Sequence, residues 1–215
     1  MRPIVFLGSS LPVAQAAAIL DADYRPPVKR GDVDALFKKR RRPSAIAIID
    51  GEFFQSLAIS PKEILRAIEQ RVPVWGASSL GALRAAELYP FGMTGVGTVF
   101  ELYRSGRVIS DDEVAVAYSR EDGHPVSEAM INIRVALDRA RRENMVGAAA
   151  ARRLIAEARS MYFPDRSWTA LWRKAESWLG KSDLHALRQH IARSKPDVKR
   201  DDARLLLQRM NRQKS

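Results

Sequence analysis

Two adjacent serines and one lysine have the residue types for covalent catalysis. Ser78 and Ser79 lie in the stretch Arg71-Val72-Pro73-Val74-Trp75-Gly76-Ala77-Ser78-Ser79-Leu80-Gly81-Ala82-Leu83-Arg84-Ala85-Ala86-Glu87-Leu88. A serine in a tight strand-to-helix turn is how hydrolases present a nucleophile. The backbone is crowded there, so small residues are needed two places either side. Ser79 has Ala77 and Gly81; Ser78 has Gly76 but Leu80. The spacing favours Ser79 slightly and leaves both open. The competing reading of either serine is a helix N-cap. Amides at the same helix start would suit an oxyanion. Lys62 follows Ser60-Pro61, in the first turn of another helix and at the unfavourable end of its dipole. In a dry site such a lysine serves as a base near neutral pH; exposed, it is only a solvated charge. The histidines, His124, His185 and His190, show no metal-ligand spacing. Lysine is therefore the economical partner for the serine.

The elements that must position these residues read as alternating strands and helices. Val72 to Trp75 is a short apolar run, a buried strand, and Leu80 to Leu88 an amphipathic helix. Ile4 to Leu7 is a first strand, followed by the turn Gly8-Ser9-Ser10-Leu11-Pro12 and a helix over Val13 to Leu20. Tyr24 to Val28 is extended, because each proline biases its predecessor away from helix. Asp32 caps a helix from Val33 to about Arg40. Ala45-Ile46-Ala47-Ile48-Ile49 has no polar alternation, as in a parallel strand buried on both faces. Asp50 follows at its carboxyl end, where open α/β sheets bind ligands; the alternative is a turn residue bonding its own backbone. Ser60, Pro61 and Glu63 predict a capped helix start. Tyr89 to Gly97 reads as a glycine-rich loop, and Thr98 to Ser105 as a short helix. Beyond it come predicted helices over Val126 to Arg142, with Ser127 as cap, Asn144 to Ala158, Trp168 to Leu179, Asp183 to Ile191 and Asp201 to Met210. The fold class is α/β: a mainly parallel sheet flanked by helices over 1–122, then a basic helical region over 123–215.

Composition narrows the function classes. The 215 residues include no cysteine, which excludes disulfides, thiolate catalysis and cysteine metal sites. No run approaches a membrane span or a signal peptide, so a cytoplasmic protein is expected. The net charge is +11. Residues 1–125 hold 16 Lys+Arg against 15 Asp+Glu, so nearly all the excess lies beyond them. Those basic residues spread round several helices rather than forming one stripe, which argues against nucleic-acid binding. Lys38 to Arg42 is a basic run, read as a solvated helix end or an anion contact. Asp111-Asp112-Glu113 is read as a charged helix start or a cation site. Gly76-x-x-x-x-Gly81 imitates a phosphate loop, but Ala82 and Leu83 stand where Lys and Ser/Thr are needed.

The sequence resembles the TfuA-like family. The resemblance rests on Val5-Phe6-Leu7-Gly8-Ser9-Ser10-Leu11-Pro12, Arg25-Pro26-Pro27, Arg30-Gly31-Asp32, Ile48-Ile49-Asp50-Gly51 and Lys62-Glu63-Ile64-Leu65, then on Gly76 to Leu88. It continues through Phe91-Gly92-Met93, Gly95-Val96-Gly97, Asp111-Asp112-Glu113-Val114-Ala115 and Pro125-x-Ser127-Glu128-Ala129-Met130 to Arg134. It implies a hydrolase with a Ser–Lys pair that releases sulfide from a thiocarboxylated, ThiS-like sulfur-carrier protein. It further implies a YcaO-type cyclodehydratase as partner in peptide backbone thioamidation, contact with a precursor peptide, and no cofactor or metal. Carried over, the nucleophile is Ser79 or Ser78 and the base Lys62. Backbone amides near Gly8 and Ser9, or at the start of the helix from Leu80, would hold the oxyanion, with Asp50 and Arg84 as supporting residues. The family often has His before the lysine, where this chain has Pro61, and Pro after the first glycine, where this chain has Ser9. The rival expectation is a non-catalytic adaptor that binds the YcaO enzyme and its peptide.

Overall fold

A computed structural model describes residues 1–38, 42–53, 57–119, 121 and 125–214. Lys39 to Arg41 of the basic run, and Gly123 and His124, lie outside the described residues. The chain forms two compact units. One comprises Met1–Asp111 with Lys199–Ser215, the other Asp112–Val198. The sequence reading divided the chain at 122/123 and left every later helix outside the sheet unit. The observed division falls earlier, and the last helix returns to the sheet. Its apolar stripe supplies the reason below.

The first unit is a five-stranded sheet of β1 (Ile4–Phe6), β2 (Asp23–Arg25), β3 (Ile46–Ile48), β4 (Val74–Ala77) and β5 (Thr94–Val96). Every neighbouring pair is parallel, in the order β2-β1-β3-β4-β5. Its helices are α1 (Val13–Ala17), α2 (Asp32–Phe37), α3 (Pro61–Glu69), α4 (Leu80–Leu88), α5 (Thr98–Arg104) and α10 (Val198–Lys214). The middle strands are apolar at every position, as two-sided burial requires. Period-2 alternation sends Val5, Ala47, Ile49, Trp75 and Ala77 to one face. There they share a core with Ala16 of α1 and with Ala203, Leu206, Leu207 and Met210 of α10. Burying the last three side chains contributes about 5–9 kcal/mol before entropy costs, enough to bring α10 to the sheet. Asp202 fixes its register: the carboxylate accepts the amides of Thr98 at 2.9 Å and Val99 at 2.7 Å, capping α5. Gly97 permits this approach, since a Cβ there would lie 2.2 Å from the Asp202 carboxyl carbon.

Several local expectations change. Thr94-Gly95-Val96, expected as loop, is the edge strand β5, paired with Trp75 to Ala77. The cap position of α2 is Gly31, and Asp32 instead accepts the Lys29 amide. The predicted capping box of α3 is present: Ser60 accepts from the Lys62 amide and Glu63 reaches back to the Ser60 amide.

The second unit contains α6 (Met130–Arg142), α7 (Ala148–Arg159), α8 (Trp168–Ala175) and α9 (Lys181–Ser194) around a core that includes Ile133, Leu137, Leu154, Leu171 and Leu187. Ser127 does not cap α6; its hydroxyl accepts the Ala117 amide. The acidic triplet serves ion pairs: Glu113, 3% exposed, grips Arg134, and Asp112 meets the fully buried Arg166. No group of three or more His, Cys, Asp or Glu that could hold a metal occurs among the described residues. No helix among them is long and apolar enough to cross a membrane.

Candidate active site

The sheet order reverses between β1 and β3, which sends the connections after these strands to opposite faces and opens a crevice at their carboxyl ends. Three chemically capable side chains follow three strands at that edge: Ser10 after β1, Asp50 after β3, and Ser78 after β4. They are hydrogen-bonded in series. The Ser78 hydroxyl donates to Ser10 Oγ at 2.8 Å, and the Ser10 hydroxyl donates to Asp50 Oδ1 at 2.6 Å. The direction follows from the end member. A carboxylate only accepts, so Ser10 gives its proton to Asp50 and offers its lone pairs to Ser78. The other carboxylate oxygen, Oδ2, accepts the amides of Gly8 at 2.8 Å and Ser10 at 3.1 Å. All three side chains are buried, Ser78 completely.

Local sequence explains why the serine sits there. Ser78 has φ 69°, the left-handed region that non-glycine residues avoid. The turn is held in this form by Ile49, whose carbonyl accepts the amides of Ser79 and Gly81, both at 3.3 Å. Close approach of α4 to β3 and β4 demands two glycines. A Cβ at Gly76 would lie 2.2 Å from the Gly81 carbonyl oxygen, and one at Gly81 would lie 1.8 Å from the Ile48 oxygen. The crowding thus falls two residues before Ser78 and three after it. Ser78, not Ser79, takes the strained conformation and joins the network. Ser79 occupies the N-cap position of α4, yet its side chain makes no cap bond.

The other expected site residues are placed differently. Lys62 is exposed on the first turn of α3. Its ammonium bonds neither serine, and the dry surroundings that a base role requires are missing. Gly8 cannot serve the oxyanion, because its amide is committed to Asp50. Ser9 donates its amide to no described residue and stays available. Arg84 holds the Ile59 carbonyl at 3.2 Å and pairs with Glu87; it steadies the approach to α3 without touching the serines. Asp50 is neither a simple turn residue nor solvent-facing, but the anchor of the β1–α1 loop. Sequence reasoning missed Ser10. Its signal was its position, the second residue after a glycine at the end of β1, on the same edge as Asp50.

Two surface concavities are open, about 290 Å³ around Met1, Ile4 and Leu36, and about 560 Å³ around Gly97, Glu101 and Arg209. Neither is lined by Ser10, Asp50 or Ser78.

Comparison with known families gives a match to the TfuA-like protein family over residues 50–167, just over half of the chain. The chain belongs to the TfuA-like family. The match takes in Asp50, Lys62, Ser78, Ser79 and Arg84 and begins after Gly8 to Ser10. No curated protein matches the chain. TfuA-like proteins as a family are associated with YcaO partners.

Proposed function

We propose that this TfuA-like protein is a serine hydrolase that releases sulfide from the C-terminal thiocarboxylate of a small, ThiS-like sulfur-carrier protein. The sulfide serves a YcaO-type, ATP-using enzyme in backbone thioamidation of a precursor peptide. One observation carries the reading: Ser78 stands in a strained strand-to-helix turn with its hydroxyl in a hydrogen-bonded chain at the crevice edge of the sheet. A strained turn persists only where its surroundings over-determine it, and such turns cluster at functional sites. The serine oxygen attacks the thiocarboxylate carbon, sulfide departs, and water clears the acyl-enzyme. The Ser9 amide is an available donor for the oxyanion. Ser79 is the runner-up nucleophile.

The complete burial of Ser78 favours a second reading, a non-catalytic adaptor that binds the YcaO enzyme and its peptide. Sulfide release from the thiocarboxylated carrier separates the two. Ser78→Ala should abolish release while the protein stays folded, and Ser79→Ala should retain most of it. Full release by both single variants would end the serine mechanism, and no release by the wild type above a protein-free control would leave the adaptor reading in its place.

A further inference from the structure

We propose that the outer edge of β5 is the docking site for the C-terminal tail of the carrier protein, which pairs there as a sixth, parallel strand. The identity of the occupant rests on the hydrolase reading; the surface stands on its own observations. β5 pairs with β4 and ends the strand order on that side. A strand so placed presents a row of free amides and carbonyls, which native proteins blunt with a charge, a proline or a covering element. Thr94-Gly95-Val96 carries neither charge nor proline. Outside the pairing with β4, no hydrogen bond reaches these three residues from the described ones. Val96 packs in the core shared with α10, and Gly95 lies against the Phe100 ring of α5. The two helices therefore flank β5 on opposite faces. The 560 Å³ concavity opens between them, over Gly95 and Gly97, with Leu102 of α5 and Leu205 of α10 on its walls.

Charge gives the groove a direction. Arg107 and Arg209 line it, both exposed, and neither forms an ion pair or hydrogen bond with a described residue. Glu101, the acidic residue of the groove, is taken by Arg104 at 2.6 Å. The sheet unit as a whole holds 21 Lys+Arg against 13 Asp+Glu, so an acidic partner surface is the complementary one. Both arginines stand away from Gly97. Arg107 lies beyond the far end of α5, and Arg209 lies about 10 Å along α10 from Asp202, whose carboxylate holds the α5 start. A tail rooted in an acidic surface at the arginines runs up beside β5 and leaves past Gly97, at the carboxyl edge of the sheet. That edge carries the serines: Val96 pairs with Ala77, directly before Ser78 and Ser79. The added strand stands about 10 Å from β4, a gap that about three extended residues cross. The occupant must therefore bring a chain end, which the carrier tail has and an internal segment of the precursor peptide lacks.

Amide hydrogen exchange and binding on the full chain test the docking. The probe is the carrier in its carboxylate form, beside the same carrier shortened by its tail. Amides of Thr94 to Gly97 should exchange about tenfold or more slowly with the intact carrier and be unchanged by the shortened one. Arg107→Glu combined with Arg209→Glu should weaken binding about tenfold or more at about 0.1 M salt, the range for reversing two surface ion pairs, and the difference should close at about 1 M. Both side chains are exposed, so circular dichroism should show the fold intact. Absent binding, wild-type affinity in the double variant, or unslowed β5 amides with carrier bound overturns the proposal. So does protection by the precursor peptide alone, which gives the edge to that peptide, or protection that grows with protein concentration without carrier, which gives it to a second copy. Sulfide release is read separately. Carrier bound along β5 without release defeats the hydrolase reading and leaves the docking; release with β5 unprotected defeats the docking and leaves the hydrolase.

Discussion

Gly81→Ala tests whether the serine turn depends on the contact between α4 and β3. Helix propensity alone assigns this change a gain of about 1 kcal/mol, because alanine is the better helix former. The structure demands the opposite sign. A Cβ at Gly81 lies 1.8 Å from the Ile48 oxygen and 2.6 Å from its carbonyl carbon, and ordinary contact begins at 3.4 Å. Both atoms are backbone in a central strand and cannot rotate away. Helix α4 must withdraw by about 1.6 Å, the shortfall between those distances. That movement breaks the bonds from the Ser79 and Gly81 amides to Ile49, about 1 kcal/mol each. Overpacking of a tight contact adds about 1–3 kcal/mol. The expected loss is about 3–5 kcal/mol, or about 6–20 °C in Tm for a chain of this size. Thermal unfolding followed by far-UV circular dichroism measures it, and sulfide release at a permissive temperature should fall as the Ser78 turn is displaced. A Tm equal to or above wild type would refute the packing argument.

Two further outcomes follow from buried carboxylates. Burial pushes the Asp202 carboxyl up to about 6 from an ordinary 3.8, against the opposing amide bonds of Val99 and Thr98, with Asp201 adding to the rise. The folded state therefore holds this proton more tightly than the unfolded chain. The stabilisation is complete below about pH 4 and is lost as pH climbs through about 6, a swing of order 3 kcal/mol. Urea unfolding at about pH 4 and about pH 8 should show Asp202→Asn lacking that part of the pH response; parallel responses would acquit Asp202. In the helical unit, Glu113→Ala strips Arg134 of its partner. The expected loss is about 2–3 kcal/mol by urea denaturation, below the usual figure for breaking a buried pair because Arg134 keeps one-fifth of its side chain in solvent. A change under about 0.5 kcal/mol would show that Arg134 rehydrates freely.

The sequence alone determined the features that depend on neighbours along the chain. Unbroken apolar runs marked β1, β3 and β4 as buried parallel strands, and Ser60, Pro61 and Glu63 marked the start of α3, because period and capping are local properties. The edge strand β5 escaped notice: it is three residues long, set among Gly92, Gly95 and Gly97, and gains its form from pairing with β4. The return of α10 was also hidden. Its apolar stripe declares that it must bury a face, while which face receives it is set by the sheet surface left open beside α1.

The site divides along the same line. Paired serines before a helix were visible as candidates, and so was Asp50 at a strand end. The choice between Ser78 and Ser79 depended on where two glycines press against other strands, a contact between residues far apart in sequence. The partner of the serine was decided by strand order. Parallel pairing of β1, β3 and β4 brings the residues after them to one edge, so Ser10 meets Asp50 across 40 positions of chain and Ser78 across 68. Lys62 lies on the first turn of its helix, exposed to water. A sequence can nominate residues able to exchange a proton; only tertiary structure brings a hydroxyl, a second hydroxyl and a carboxylate to within hydrogen-bond distance of one another.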